Sequence, residues 1–93
     1  MGKAEYKVAG GKLIRVQLVK KGSRIEKLMI TGDFFLHPEE LIDDLEKALV
    51  DQTLSMPDLD EFIGAFIERR GGTLLGASSE DFAKCITMAA ENE

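Results

Sequence analysis

Apolar residues recur at every second position in the first third of this chain and at every third or fourth position beyond Pro38. The first period belongs to a strand with one buried face, the second to an amphipathic helix. Strands that all precede the helices leave no alternation of the βαβ kind. The order predicts an antiparallel sheet with helices on one face. The expected fold class is α+β: a small antiparallel sheet of about three strands with about three helices packed on one face.

The strand pattern is sharpest over residues 12–20, where Ile14, Val16 and Leu18 point one way and Arg15 and Gln17 the other. Residues 4–9 form a shorter strand, joined to it by the turn glycines Gly10 and Gly11. Lys20-Lys21-Gly22-Ser23 signals a hairpin, and residues 24–31 return with Ile25, Leu28, Met29 and Ile30. Thr31-Gly32-Asp33 ends or bends that strand, and Phe34-Phe35-Leu36 follows as a short strand or core plug. His37-Pro38-Glu39-Glu40 opens a helix striped by Leu41, Ile42, Leu45, Ala48 and Leu49, with Asp43, Asp44, Glu46 and Lys47 facing solvent. A second helix starts at Pro57, carries Leu59, Phe62, Ile63, Phe66 and Ile67, and stops at Gly71-Gly72. After the apolar stretch Thr73-Leu74-Leu75, Ser78 caps a third helix, with Asp81 three residues on.

Ninety-three residues predict one domain, 1–93. A globule of this size buries roughly 60–70% of its unfolded surface. It builds a core, but not a deep enclosed active site as well. The net charge is −5, with Lys and Arg concentrated in residues 3–27. An acidic chain repels phosphate backbones, so no nucleic-acid partner is expected. The basic third reads as a solvated sheet face. Cys85, the only cysteine, excludes an internal disulfide and fits a reducing, cytoplasmic setting. No apolar run approaches a membrane span, and no signal peptide opens the chain.

A search for chemistry returns little. His37, the only histidine, reads as a residue at a helix cap. Cys85 lies on an apolar helix stripe and reads as packing. No metal cluster is expected from the carboxylates, and the order Gly10-Gly11-Lys12 leads into a strand where a phosphate loop would lead into a helix. No catalytic residue is expected.

The order of motifs adds a further reading. Tyr6-Lys7-Val8-Ala9-Gly10-Gly11-Lys12-Leu13-Ile14-Arg15-Val16, then a hairpin, then Ile30-Thr31-Gly32-Asp33-Phe34-Phe35, then Pro38-Glu39-Glu40 and Leu45-Glu46 closely resembles the C-terminal accessory domain of lipoate-protein ligases. In particular it looks like the small, separately encoded subunit of the two-part archaeal enzymes. The match is clear over about half the chain, and the remainder from Asp51 on is compatible in helix order. The resemblance implies a heterodimer with a catalytic subunit that holds lipoate, ATP and magnesium and carries a catalytic lysine. That subunit makes lipoyl-AMP and passes the lipoyl group to lysines of acceptor proteins in 2-oxoacid dehydrogenase complexes and the glycine cleavage system. The accessory domain serves the activation step and is dispensable for transfer from preformed lipoyl-AMP. It binds no cofactor by itself.

On this reading Gly10, Gly11, Lys12, Arg15, Gly32, Asp33, Phe34 and Phe35 are the candidates to face the partner. Glycines allow close backbone approach, the cations add positive charge, and a phenylalanine anchors the contact. The competing expectation makes both phenylalanines core and the glycines simple turns. An alternative function is a stand-alone small-molecule-sensing or protein-interaction domain, and fold alone does not separate the two.

Overall fold

A computed structural model describes residues 1–93. Three strands, β1 (Gly2–Lys7), β2 (Leu13–Lys21) and β3 (Arg24–Gly32), form an antiparallel sheet in the order β1-β2-β3. A second, two-stranded antiparallel sheet pairs β4 (Phe35–His37) with β5 (Thr73–Leu75). The helices are α1 (Leu41–Ala48), α2 (Met56–Arg69) and α3 (Ser79–Glu91). α3 lies across β1 and β2, α1 runs along β3, and α2 packs chiefly against α3. This is the expected α+β class. The first strand begins two residues earlier than its sequence pattern suggested.

The inner face of β2 is Ile14, Val16 and Leu18, all essentially inaccessible. β3 contributes Ile25 and Ile30, whose odd separation would put them on opposite faces of a regular strand. A bulge resolves this: Val19 pairs with Lys27 but Lys20 pairs with Ile25, so Glu26 is the extra residue. Both isoleucines then reach the core. The outer face stays open and displays Lys3, Lys7, Arg15 and Lys27 to solvent. The basic N-terminal third is thus a solvated sheet face.

The helices supply the rest of a continuous core of 19 residues that buries no polar side chain. Leu41, Leu45 and Leu49 come from the α1 stripe, Leu59, Ile63 and Ile67 from α2, and Phe82, Cys85, Ile86 and Ala89 from α3. Phe82 is the largest fully buried side chain. α3 begins with a full capping box: Asp81 N–H donates to Ser78 Oγ, and Ser78 N–H donates to the Asp81 carboxylate.

Two details of α1 depart from the sequence reading. Pro38 does not occupy the first turn of α1; residues 38–40 make a separate turn closed by Leu41 N–H donating to the Pro38 carbonyl, and the helix starts at Leu41. Glu46 does not face open solvent. Its carboxylate accepts the Ile30 N–H of β3 at 2.7 Å.

Truncating Phe82→Ala is expected to cost about 3–5 kcal/mol of unfolding free energy. Ser78→Ala, which removes one capping acceptor, is expected to cost about 1 kcal/mol. Urea denaturation of the two variants checks the order, and equal losses would contradict it.

Candidate partner-docking surface

The β1–β2 turn, the β3–β4 corner and the β5–α3 corner meet at one end of the molecule. The turn is closed by Val8 N–H donating to the Lys12 carbonyl and Gly11 N–H donating to that of Val8. Gly10 and Gly11 have φ of +96° and +90°, with no atom within 4 Å of where a Cβ would stand. The turn therefore requires them, and the space where their side chains would stand is open. Lys12 is exposed and lays its stem against Gly76: a Cβ there would sit 3.5 Å from Lys12 Cγ and 3.6 Å from Phe34 Cα.

Gly32 has a different reason to be glycine. A Cβ there would fall 2.1 Å from the Leu13 carbonyl oxygen, and φ is +152°. Its close backbone approach is to β2 of the same chain, and Asp33 N–H continues it by donating to Leu13 at 2.9 Å. The Asp33 side chain is exposed.

The two phenylalanines divide. Phe34 is half-buried and meets Phe82 edge-on, with centroids 4.8 Å apart at 70°. Phe35 is 56% exposed and sits opposite Leu75, itself 57% exposed, in the β4–β5 pair. His37 stacks nearly parallel to Phe35 at 6.0 Å. It ends β4 and does not cap α1, whose N-cap is Glu40. Alternation puts Leu36 and Leu74 inward, leaving Phe35, Leu75 and His37 as an apolar and aromatic outer face beside Lys12. Arg15 stands elsewhere, on the open side of the main sheet, with Nε 2.7 Å from Glu5 Oε2.

Of the eight residues singled out from sequence, the structure thus gathers Lys12, Phe34 and Phe35 closely, and their turns with them. Leu75, His37 and Gly76 belong to the same surface and were not among them. The signal for Leu75 was the apolar run Thr73-Leu74-Leu75, but nothing local says that it pairs with Phe35, forty positions earlier.

Two groups have displaced pKa values, and neither makes a reacting pair. Burial pushes the Cys85 thiol up to about 11, and its Sγ lies near the Ala4 and Ile14 carbonyl oxygens at 3.7 and 3.6 Å. Burial also raises the Glu46 carboxyl; the Ile30 N–H works against this, and nearby Asp43 adds to it. No group of three or more His, Cys, Asp or Glu side chains is placed to hold a metal ion. No helix is long and apolar enough to cross a membrane.

The chain is thus a small α+β fold with an uncovered aromatic corner. No protein-family model matches the chain. It is 36% identical over 76 residues to lipoate-protein ligase A subunit 2 of Thermoplasma acidophilum, covering 82% of this chain and 78% of that protein. Among solved structures it is similar to a chain of the archaeal lipoylation system of the same organism, which comprises a bi-partite lipoate protein ligase and its E2 lipoyl domain. The TM-score is 0.76 at 32% identity, over 90% of this chain and 91% of that one. The chain belongs to the family of lipoate-protein ligase A subunit 2, the accessory subunit of two-part ligases.

The thiol predicts a simple experiment. At about pH 8, below its displaced pKa, Cys85 is expected to resist a disulfide reagent in the native protein and to react fully in denaturant; rapid native labelling would contradict its burial. For Glu46, the raised pKa means the folded chain binds the proton more tightly than the unfolded one. That contribution is complete below the ordinary carboxylate pKa and is lost as pH rises through the raised value. Glu46→Gln removes the titration. The variant-minus-parent difference in melting temperature is therefore expected to increase from about pH 4 to about pH 7. A difference that shrinks with pH would reverse the sign.

Proposed function

We propose that this chain is the non-catalytic subunit of a two-part lipoate-protein ligase, docking on the catalytic subunit as a heterodimer and enabling ATP-dependent activation of lipoate to lipoyl-AMP. Lipoylation of acceptor-protein lysines follows on the catalytic subunit. The observation that carries the docking surface is Phe35 opposite Leu75, both more than half exposed although the core conceals every other strand leucine and isoleucine to half or more.

The chemistry tells what an accessory subunit has to contribute. Activation joins the lipoate carboxylate to the α-phosphorus of ATP and expels pyrophosphate, so negative charge builds on the phosphates while water must be kept from the acyl adenylate. Lipoate, ATP and magnesium belong to the partner on this reading, since the residues here form no metal cluster and the Gly10-Gly11-Lys12 turn runs into a strand. This chain supplies surface and charge. Phe35, Leu75 and His37 bury against the partner and exclude water, and the open turn at Gly10 and Gly11 permits a close backbone approach. Lys12 brings a positive charge to the rim, where it favours the developing phosphate charge. Phe34 braces this corner from the core side, and Gly32 and Asp33 hold the bend that presents it. Arg15, on the open sheet face, takes part only where the partner extends around the sheet edge.

The test mixes this chain with a lipoate-protein ligase catalytic subunit and measures pyrophosphate release with lipoate and ATP. Adenylation is expected only in the mixture. A Phe35→Ala/Leu75→Ala variant is expected to weaken the complex by about 2–4 kcal/mol, roughly 30- to 1,000-fold in Kd. Lys12→Ala is expected to slow adenylation while leaving transfer from preformed lipoyl-AMP unchanged. Full adenylation by the catalytic subunit alone would end the proposal, as would turnover by this chain alone.

A further inference from the structure

The outer face of α2 carries an aromatic groove that no element of the fold covers. The groove is open, about 490 Å³, and lined by Asp58, Phe62, Ala65, Phe66 and Arg69 together with their neighbours. Phe62 and Phe66 are half-buried, with centroids 6.4 Å apart and rings 21° from parallel. The Arg70 guanidinium lies 5.4 Å from the Phe66 centroid and is tied to Asp44 at 2.7 Å, which fixes the groove wall. Asp58, Glu61 and Arg69 make no ion pair within the chain.

The order of side chains along this face selects the occupant. Asp58, Phe62, Ala65 and Arg69 are spaced four, three and four apart, the spacing of a helix–helix seam. Read from the N-terminus they are acidic, large, small, basic. Turned end for end, the same series is its own complement. With a two-fold axis between residues 63 and 64, Asp58 meets Arg69 of a second copy and Phe62 enters the gap left by that copy's Ala65. A large residue facing a small one is the packing that interdigitating helices need. The helix dipoles then oppose each other, which is favourable, whereas a parallel arrangement would set Asp58 against Asp58.

We infer that the α2 face is an isologous homodimer interface, in which two copies of this chain pack α2 antiparallel to α2. A helix of 14 residues is about 21 Å long, so the buried area falls at the small end of specific interfaces and the dimer dissociates in roughly the micromolar range or above. The surface is separate from the Phe35–Leu75 corner, so the inference does not rest on the ligase reading. If both hold, two catalytic–accessory pairs join through α2.

Sedimentation equilibrium of the full chain, from about 1 µM to about 1 mM, reads the association directly. The mass is expected to move from monomer to dimer. Asp58→Arg alone and Arg69→Asp alone each set like charges face to face and are expected to weaken the dimer by roughly tenfold or more. An equimolar mixture of those two variants restores both opposite-charge pairs, and its association is expected to return toward the parent level. Circular dichroism identifies a variant that has not folded. Its place is then taken by Phe62→Ala, which removes the inserted ring and is expected to weaken the dimer by a similar factor. A monomer at every concentration overturns the inference. So does a dimer insensitive to these changes, or a mixture that stays monomeric.

Discussion

The packing of α3 onto the inner face of β2 and β1 is the contact on which the rest of this molecule depends. A sheet of three strands offers one narrow apolar face, and Ile14, Val16 and Leu18 fill its centre. α3 answers with Phe82, Cys85 and Ile86, also inaccessible, and with the small residues Ala83, Ala89 and Ala90, which let the helix lie close. Because that face is then occupied, α2 packs on α3 and α1 is pushed to the margin of β3. The position of the aromatic corner follows. Phe34 leans on Phe82, so the chain leaves β3 beneath the start of α3 and has to turn outward at Phe35. The exposed corner is therefore anchored through one ring to the centre of the core, which gives a surface contact a rigid base.

A three-stranded sheet also has two edges, and open edges recruit other strands. Here two side chains and one backbone bridge cover parts of them. Glu46 takes the Ile30 N–H on the β3 side, and Asn92 Nδ2 donates to the Lys3 carbonyl on the β1 side. The bridge between Arg24 and Thr53 covers the far end of β3. Strand addition is thus discouraged, and association is directed to side-chain faces. This explains why a carboxylate is tolerated at a partly buried place that raises its pKa: its oxygen satisfies a strand N–H that would otherwise wait for a foreign carbonyl.

Much of this was legible in the sequence because it is local. The alternation of β2 and the stripes of α2 and α3 each complete their pattern within one element, and the Ser78–Asp81 box within four residues. What escaped depends on parts of the chain that meet only in the fold. The pairing of Phe35 with Leu75 joins two runs of three residues that are each too short to declare a partner. The bulge at Glu26 is visible only against the register of β2. Glu46 looked like a solvent residue because its helix face is polar; the neighbouring strand edge gives it a role. Sequence alone makes Gly32 a glycine that admits a partner, whereas its backbone is closed against Leu13. His37 looked like a cap because a proline follows it, but the intervening turn at residues 38–40 separates it from α1.

Small size limits what this chain can enclose. With the core spent on holding one sheet to three helices, no concave interior remains in which a nucleophile and its base could be held dry. The two candidate groups illustrate this. Cys85 is dry but has no base and a raised pKa, while His37 lies on an exposed strand end against a phenylalanine ring. Reactive types are present, yet the fold keeps them apart. What such a domain can offer is shape: a braced aromatic corner with a lysine at its rim, and a helix face whose charges and side-chain sizes reverse about its midpoint. The two surfaces differ in chemistry and share no residue, so a contact at one leaves the other free.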